Sequence, residues 1–411
     1  MSVRVVIAGA GIAGLTTALT LHAAGIRPLI VDPVPELKPL GVGINLLPHA
    51  VRVLTELGLG EDLAETGIET SEQAHFDRHG GLIWSEPRGR GLGYQWPQYS
   101  IHRGRLQMIL LGAVRDRLGA GAVRTGTAVT GFTERDDSVE VRLTIRPDGP
   151  AAVESADVLV GADGLYSTVR ARLHPDEPPP RWSGVTMWRG MAEGEPFLSG
   201  ATLAIAGSTT SSKFVAYPVA RTSRGTLMIN WVAEVMTGGG EPPARPDWTR
   251  AGRLAEVLPH FADWRFGWLD IPGLMARSPE VLEYPMVDRD PLSCWGRGLV
   301  TLVGDAAHPV YPIGSNGGSQ AIVDARVLAR ELAAAGNPRD GIRAYEAARI
   351  PATSSIVLAT RNMPVDQVLD IVHDRAPGGF DRIEDVLSAA ELARLRDAYR
   401  ATSLQDSGPN T

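Results

Sequence analysis

Val3-Arg-Val-Val-Ile-Ala-Gly-Ala-Gly-Ile-Ala-Gly14 opens the chain with an apolar, β-branched run that ends in three closely spaced glycines. Val3 to Ala8 reads as a strand buried on both faces. Ile12, Leu15, Leu19 and Ala23 then recur at helical spacing, and Gly25 stands where a left-handed residue closes a helix. A second strand, Pro28 to Val31, stops at Asp32, eighteen residues beyond Gly14. Strand, glycine turn, helix, strand and terminal carboxylate make up the unit that holds the ADP half of a dinucleotide. In such a unit Gly9 makes the tight turn, Gly11 admits the pyrophosphate to the backbone, and Gly14 lets the helix pack on the strand. Asp32 is then expected to accept hydrogen bonds from the adenosine ribose.

Two more strand ends follow at a distance. Asp157-Val-Leu-Val-Gly-Ala-Asp-Gly164 is a buried run closing on an Asp-Gly turn, in which Asp163 also suits a plain helix cap. Leu299 to Val303 delivers Gly304 and Asp305 to a third strand end, and a Gly/Ser/Asn turn then enters a helix near Gly317. A carboxylate there suits a polyol such as ribitol, and the helix N-terminus suits an electron-rich carbonyl or an anion. His308 reads as a loop histidine capping that helix.

The rest of the chain divides around these points. Gly41-Val-Gly-Ile-Asn45 is a turn with little side-chain obstruction, followed by a helix from Pro48 to Gly58. Residues 72–97 alternate like short antiparallel strands. Arg103 precedes a helix over Gly104–Leu118 and is placed to meet a phosphate. Val123–Thr133 and Val139–Ile145 form a β-ribbon, and Pro175–Pro180 is an extended connector between domains. Between Trp182 and Pro285 strands dominate, at Val185–Met191, Ala201–Ala206, Lys213–Val219 and Leu227–Val235, with a Gly/Pro loop at 237–246 and a helix over Arg250–Phe261. A long helix follows Gly317, Pro351 interrupts the next one, and Ser388 with Glu391 forms a capping box ahead of a last helix. The tail from Ser403 is polar and expected to be disordered.

At 411 residues there is room for two domains, or for one large core with an inserted layer. The net charge of −7 argues against nucleic acid or an anionic membrane as the main partner. Cys294 is the only cysteine, so no internal disulfide forms, which fits a reducing compartment. Neither a secretory signal nor an apolar run of spanning length is read, and a cytoplasmic monomer or homodimer is expected. No metal-site spacing occurs.

The three strand-end motifs, in this order, resemble the flavoprotein aromatic hydroxylases, single-component FAD monooxygenases with the para-hydroxybenzoate hydroxylase fold. The resemblance spans residue 3 to about 360. Longer runs are similar to the phenazine-pathway members: Pro39–Asn45, Trp84–Gly89, Tyr99–Gly104, Thr186–Gly190 and Tyr284–Asp290. It implies an α/β chain with a Rossmann-like FAD-binding domain (1–71, 98–180 and 286–361), an inserted β-sheet substrate domain (72–97 and 181–285), and a C-terminal helical segment and tail (362–411). Carried over residue by residue, it implies that Gly9, Gly11, Ile12, Ala13, Gly14, Asp32 and Pro33 contact FAD through the fingerprint unit. Gly43 and Ile44 stand at the turn beside the mobile ring. Arg103 and Asp163 run along the pyrophosphate, Asp163-Gly164 also helps receive the nicotinamide nucleotide, and Val129 is a further cofactor contact. Asp305 takes the ribityl chain, and Gly317 with Gly318 the pyrimidine edge.

The implied reaction uses NADH or NADPH and O2 to hydroxylate a small aromatic or phenazine-type substrate, with or without decarboxylation, through a C4a-hydroperoxyflavin. Tyr217, Arg189, Met187, Trp231 and Pro312 are expected in the substrate pocket, Arg189 pairing with a carboxylate, and no catalytic base is assigned. A reductase on the same scaffold, a salicylate-type hydroxylase and a non-catalytic FAD-binding protein are the alternatives. Asp32 stands where the family usually carries Glu, and residues 205–225 and those beyond Arg361 depart from the pattern. The exact substrate is therefore left open.

Overall fold

In the computed structural model, which describes residues 3–145, 149–238, 250–361 and 366–403, the opening run becomes the central strand of a parallel sheet. Among the described residues this sheet has five strands, in the order Val300–Leu302, Val158–Gly161, Arg4–Ala8, Arg27–Val31 and Val123–Arg124. Every pairing in it is parallel. Val5, Val6 and Ile7 are fully buried, each contributing about 1.5–3 kcal/mol of hydrophobic stabilisation. Helix Ile12–Ala23 lies against helix Asn316–Ala334, and the Thr20 hydroxyl donates to the Ala325 carbonyl at 2.9 Å. All three strand-end motifs thereby finish on one edge of one sheet, as parallel strands in register require.

The inserted region forms a second sheet. Among the described residues it has seven strands, in the order Val281–Asp288, Arg181–Gly194, Leu227–Met236, Ser212–Arg221, Thr202–Gly207, Glu72–Phe76 and Leu82–Pro87. Glu72–Phe76 and Leu82–Pro87 are antiparallel to each other, yet Glu72–Phe76 joins Thr202–Gly207 in parallel. Alternation sorts the two faces. Trp188, Phe214, Trp231 and Phe76 pack on the segments Leu254–Phe261 and Ile271–Ala276. On the opposite face Met187, Tyr217, Ile205 and Tyr284 meet Tyr311 and Ile313, together with Val368, Leu369 and Val372 of helix Gln367–Arg375.

Several sequence expectations need correction. The helix expected over Arg250–Phe261 shrinks to Leu254–Val257 and a 3-10 turn, because Gly252 donates to the Val281 carbonyl at 2.8 Å and Ala251 pairs with Leu282. Pro259 further restricts the residue before it. Pro351 does not interrupt its helix, which runs unbroken over Pro338–Arg361. It lies on the exposed side, where water can satisfy the freed carbonyl while Tyr345 and Arg349 stay buried. A third strand, Ala151–Ala156, extends the expected ribbon. The capping box forms as read: Ser388 N–H donates to Glu391 at 2.9 Å, and Glu391 N–H returns to the Ser388 hydroxyl at 3.3 Å. Most of the 237–246 loop and the tail beyond Ser403 lie outside the described residues.

Helix Gln367–Arg375 is fastened to the second sheet by buried charge. Lys213 Nζ lies 2.6 Å from Asp366 and 2.9 Å from Glu234. Burial opposes the Lys213 charge, but these two carboxylates hold its pKa above the ordinary lysine value. Asp370 accepts from the Ser208 hydroxyl at 2.8 Å and the Thr209 amide at 2.7 Å. Truncating Asp366 to Ala leaves a buried ammonium half-compensated, so the expected loss is about 3 kcal/mol. A lowered denaturant midpoint at unchanged m value checks it.

Candidate active site

Close packing of backbone on backbone brings the three strand ends together. Gly9 has φ +106°, and a Cβ there would fall 2.5 Å from the Ala162 carbonyl oxygen and 3.1 Å from Asp163 Cα. A Cβ on Gly304 would meet those of Ala13 and Ala321, each at 3.0 Å. The three turns thus converge on the start of helix Ile12–Ala23, where Gly11 faces open space with nothing within 4 Å of a would-be Cβ. This is a cradle shaped for a phosphate at a helix N-terminus.

Asp32 lies at the end of its strand, with one oxygen accepting Ala10 N–H at 2.7 Å and the other Val34 N–H at 2.8 Å. Each oxygen keeps a lone pair for a ribose hydroxyl. Arg103 is exposed at the first turn of helix Arg103–Leu118; its amide donates to Val42 at 2.9 Å, and its Cδ lies 3.9 Å from a would-be Cβ on Gly41. Gln107 on the same helix donates to the Ala10 carbonyl at 2.8 Å. Pro33 is exposed and Val129 half-buried. The Asp163 oxygens are spent on helix Thr168–Leu173, one taking the Ser167 hydroxyl at 2.5 Å and the other Thr168 N–H at 2.7 Å. Burial nevertheless raises its pKa above the ordinary carboxylate value.

At the other end Asp305 is exposed, and its Oδ1 lies 3.9 Å from a would-be Cβ on Gly317. A Cβ on Gly318 would lie 2.7 Å from Ile44 Cδ1, so the Gly43–Leu46 strand rests on this helix start. Donors, acceptors and open backbone therefore run from Asp32 through Gly11 to Asp305 and Gly317. That sequence of groups fits ribose, pyrophosphate, ribitol and a flavin edge, so the residues present suit FAD. His308 does not cap the helix. It is buried, with Nε2 2.5 Å from Asp324 inside helix Asn316–Ala334, because Asp324 also takes Gly304 N–H at 3.0 Å and Arg349 Nε at 2.8 Å.

Above the Gly43 turn, the second sheet presents Arg189, Tyr217, Met187 and Asn230 on one face. Arg189 Nη2 donates to the Gly43 carbonyl at 2.6 Å, and the guanidinium also bonds Tyr284 and Tyr217. Burial opposes its charge, but the two phenol oxygens hold its pKa above the ordinary arginine value. Burial raises the Tyr217 pKa, which keeps the phenol protonated and able to donate. Trp231 does not join this group. It lies on the far face, stacked on Phe214 with its indole N–H on Ser278 Oγ at 2.7 Å. Pro312 is exposed between Tyr311 and Ile313, which pack against the same face as Tyr217.

Sequence reasoning missed Asn230, Tyr284, Lys213, Glu234 and Asp366. For Lys213 and Glu234 a signal was available: single charges inside otherwise apolar strands at cross-strand positions. Asp366 carried none.

Residues 2–360 match the family model described as FAD binding domain. The chain is 47% identical to the phenazine 1,6-dicarboxylic acid hydroxylase of Lysobacter antibioticus, over 97% of this chain and 96% of that one. It is 33% identical to 3-hydroxybenzoate 6-hydroxylase 1 of Aquipseudomonas alcaligenes, over 87% of this chain and 88% of that one. The structure of Klebsiella pneumoniae HpxO complexed with FAD and uric acid is similar, with a TM-score of 0.75 at 25% identity, over 98% of this chain and 97% of that one. Among the described residues no helix is long and apolar enough to cross a membrane.

Two outcomes follow from this geometry. Asp305→Ala should lower retained flavin, read as flavin absorbance relative to protein absorbance after gel filtration, by about tenfold or more for a lost charge-assisted contact. For Asp324, burial alone would raise the pKa, but His308 and Arg349 outweigh it and bring the carboxyl from 3.8 to about 2. A depressed native pKa adds stability above pH 3.8, lost as pH falls through 2. Acid unfolding over that window should therefore weaken by roughly 2 kcal/mol when Asp324 is Asn.

Proposed function

The chain belongs to the FAD-binding family of aromatic hydroxylases and is an FAD-dependent monooxygenase; for its substrate we propose a planar polycyclic aromatic acid, a phenazine carboxylic acid above all. The observation that carries this is Arg189. It is a charged guanidinium on the flavin-side face, bonded to two phenols and one carbonyl, and among the described residues no carboxylate pairs with it. Lys213 on the same face already holds two carboxylates. A substrate carboxylate at Arg189 would give the guanidinium the direct ion pair it lacks. The 47% identity with a phenazine 1,6-dicarboxylic acid hydroxylase supports a tricyclic ring rather than a benzoate.

Bound FAD supplies the redox chemistry, accepting hydride from NAD(P)H and activating O2 for transfer to an aromatic carbon. Asp32, Arg103 and Asp305, with the open backbone at Gly11 and Gly317 and the adjoining Gly318 under Ile44, are the residues proposed to hold it. Arg189 anchors the acid and Tyr217 donates to it, which fixes the ring plane against the sheet. Met187, Val232, Leu282 and Ile205 form a buried apolar cluster on the same side of the sheet, and such surroundings exclude water and protect the reaction from wasteful loss as peroxide. A single cysteine, Cys294, and the need for NAD(P)H support a cytoplasmic setting.

The test is NADH and NADPH consumption with phenazine-1-carboxylate, phenazine-1,6-dicarboxylate and salicylate, with product mass and peroxide measured together. Hydroxylated phenazine in near-stoichiometric yield is expected. Stimulated consumption that yields only peroxide would instead identify a reductase. Arg189→Met should raise KM for a carboxylated phenazine about 100-fold, the size of a charge-assisted pair.

A further inference from the structure

The Gly43 peptide is gripped by the second sheet from both sides. Its N–H donates to Asn230 Oδ1 at 2.7 Å, and its carbonyl accepts from Arg189 Nη2 at 2.6 Å. The fit admits no side chain: a Cβ on Gly43 would lie 2.7 Å from Asn230 Cβ and 2.8 Å from the Tyr217 ring. The same strand is tied on its other side to the start of helix Asn316–Ala334, where Leu47 N–H donates to Ser319 Oγ at 3.0 Å and Ile44 packs on Gly318. Gly43 therefore sits between the substrate sheet and the flavin end of the cradle.

Both clamping side chains keep unspent donors. Asn230 is fully buried with Nδ2 unpartnered, and Arg189 Nε is buried and unpartnered. A guanidinium grips a carboxylate side-on through Nε and Nη2 together. Here Nε is free, but Nη2 is occupied by the Gly43 carbonyl. Side-on capture of an acid therefore puts the carboxylate in competition with the Gly43 carbonyl for Nη2, and the charged acceptor is the stronger of the two.

We propose that Asn230 and Arg189 form a two-sided clamp in which Asn230 is a positioning residue and Arg189 exchanges the Gly43 carbonyl for the substrate carboxylate. Substrate arrival then loosens the flavin-side turn on one side only, while Asn230 keeps the amide in place and preserves the register of the strand. This rests on reading Arg189 as the anion site of the substrate.

Hydrogen–deuterium exchange over residues 43–46 of the FAD-loaded enzyme tests it. Saturating phenazine-1-carboxylate should raise exchange about tenfold at Ile44 to Leu46, whose strand opens more readily once the Gly43 carbonyl loses its anchor, while the Gly43 amide stays protected by Asn230; uncarboxylated phenazine should change neither. In Asn230→Ala, exchange should be fast with or without ligand. Ligand stimulation of flavin bleaching by NAD(P)H should then fall to less than about a third of the wild-type ratio, with ligand affinity, read from the flavin absorbance shift, changed less than about threefold. Unchanged exchange on binding, with an absorbance shift to show that the acid is bound, overturns the clamp. If no shift occurs, the substrate reading has failed instead, and Arg189→Met without ligand decides the clamp: it must by itself raise exchange over 43–46, and protection as in wild type overturns the proposal.

Discussion

One buried carboxylate fixes the arrangement on which the cofactor cradle depends. Asp324 takes the Gly304 amide, the His308 ring and the Arg349 guanidinium at once. These come from the third strand end, the loop after it and the neighbouring helix. A carboxylate with that many partners inside apolar surroundings pays its desolvation only while all remain in place. The Gly304 turn is thereby locked against Ala13, and Asp305 can project outward without the strand end shifting. Tyr345 adds a second tie, its hydroxyl donating to the Leu302 carbonyl at 2.9 Å.

Most of the fold was legible in the sequence because its signals are local. The β-branched run before Gly9, the helical repeat after it and Asp32 at the end of the next strand define a unit through backbone sterics alone. The four main strands of the insert were readable from alternation, and their ends move by only a few residues. What failed was decided by partners distant in sequence. Residues 250–252 looked helical but lie along the edge of Val281–Asp288, and the Pro351 kink was overruled by the buried side of its helix.

The site was legible unevenly. The residues expected to hold the cofactor sit at strand ends where glycine or aspartate has a geometric duty, so they could be proposed from sequence. Pocket residues depend on which face of a strand points where, and a one-residue error inverts the answer. Trp231 was chosen for its chemistry and lies on the wrong face, while its neighbour Asn230 reaches the Gly43 turn. Asp366 was invisible because nothing in its own segment says that Lys213 lies across the chain from it.

The segregation of the Leu227–Met236 strand has an evolutionary consequence. Leu227, Ile229, Trp231, Ala233 and Val235 build the aromatic core behind the sheet, while Asn230, Val232 and Glu234 share the opposite face with Tyr217 and Lys213. Replacements at alternate positions can change the chemistry of that opposite face without eroding the packing that keeps the sheet folded. A scaffold wired this way diversifies cheaply, since selection for new chemistry and selection for foldedness act on different residues of the same strand.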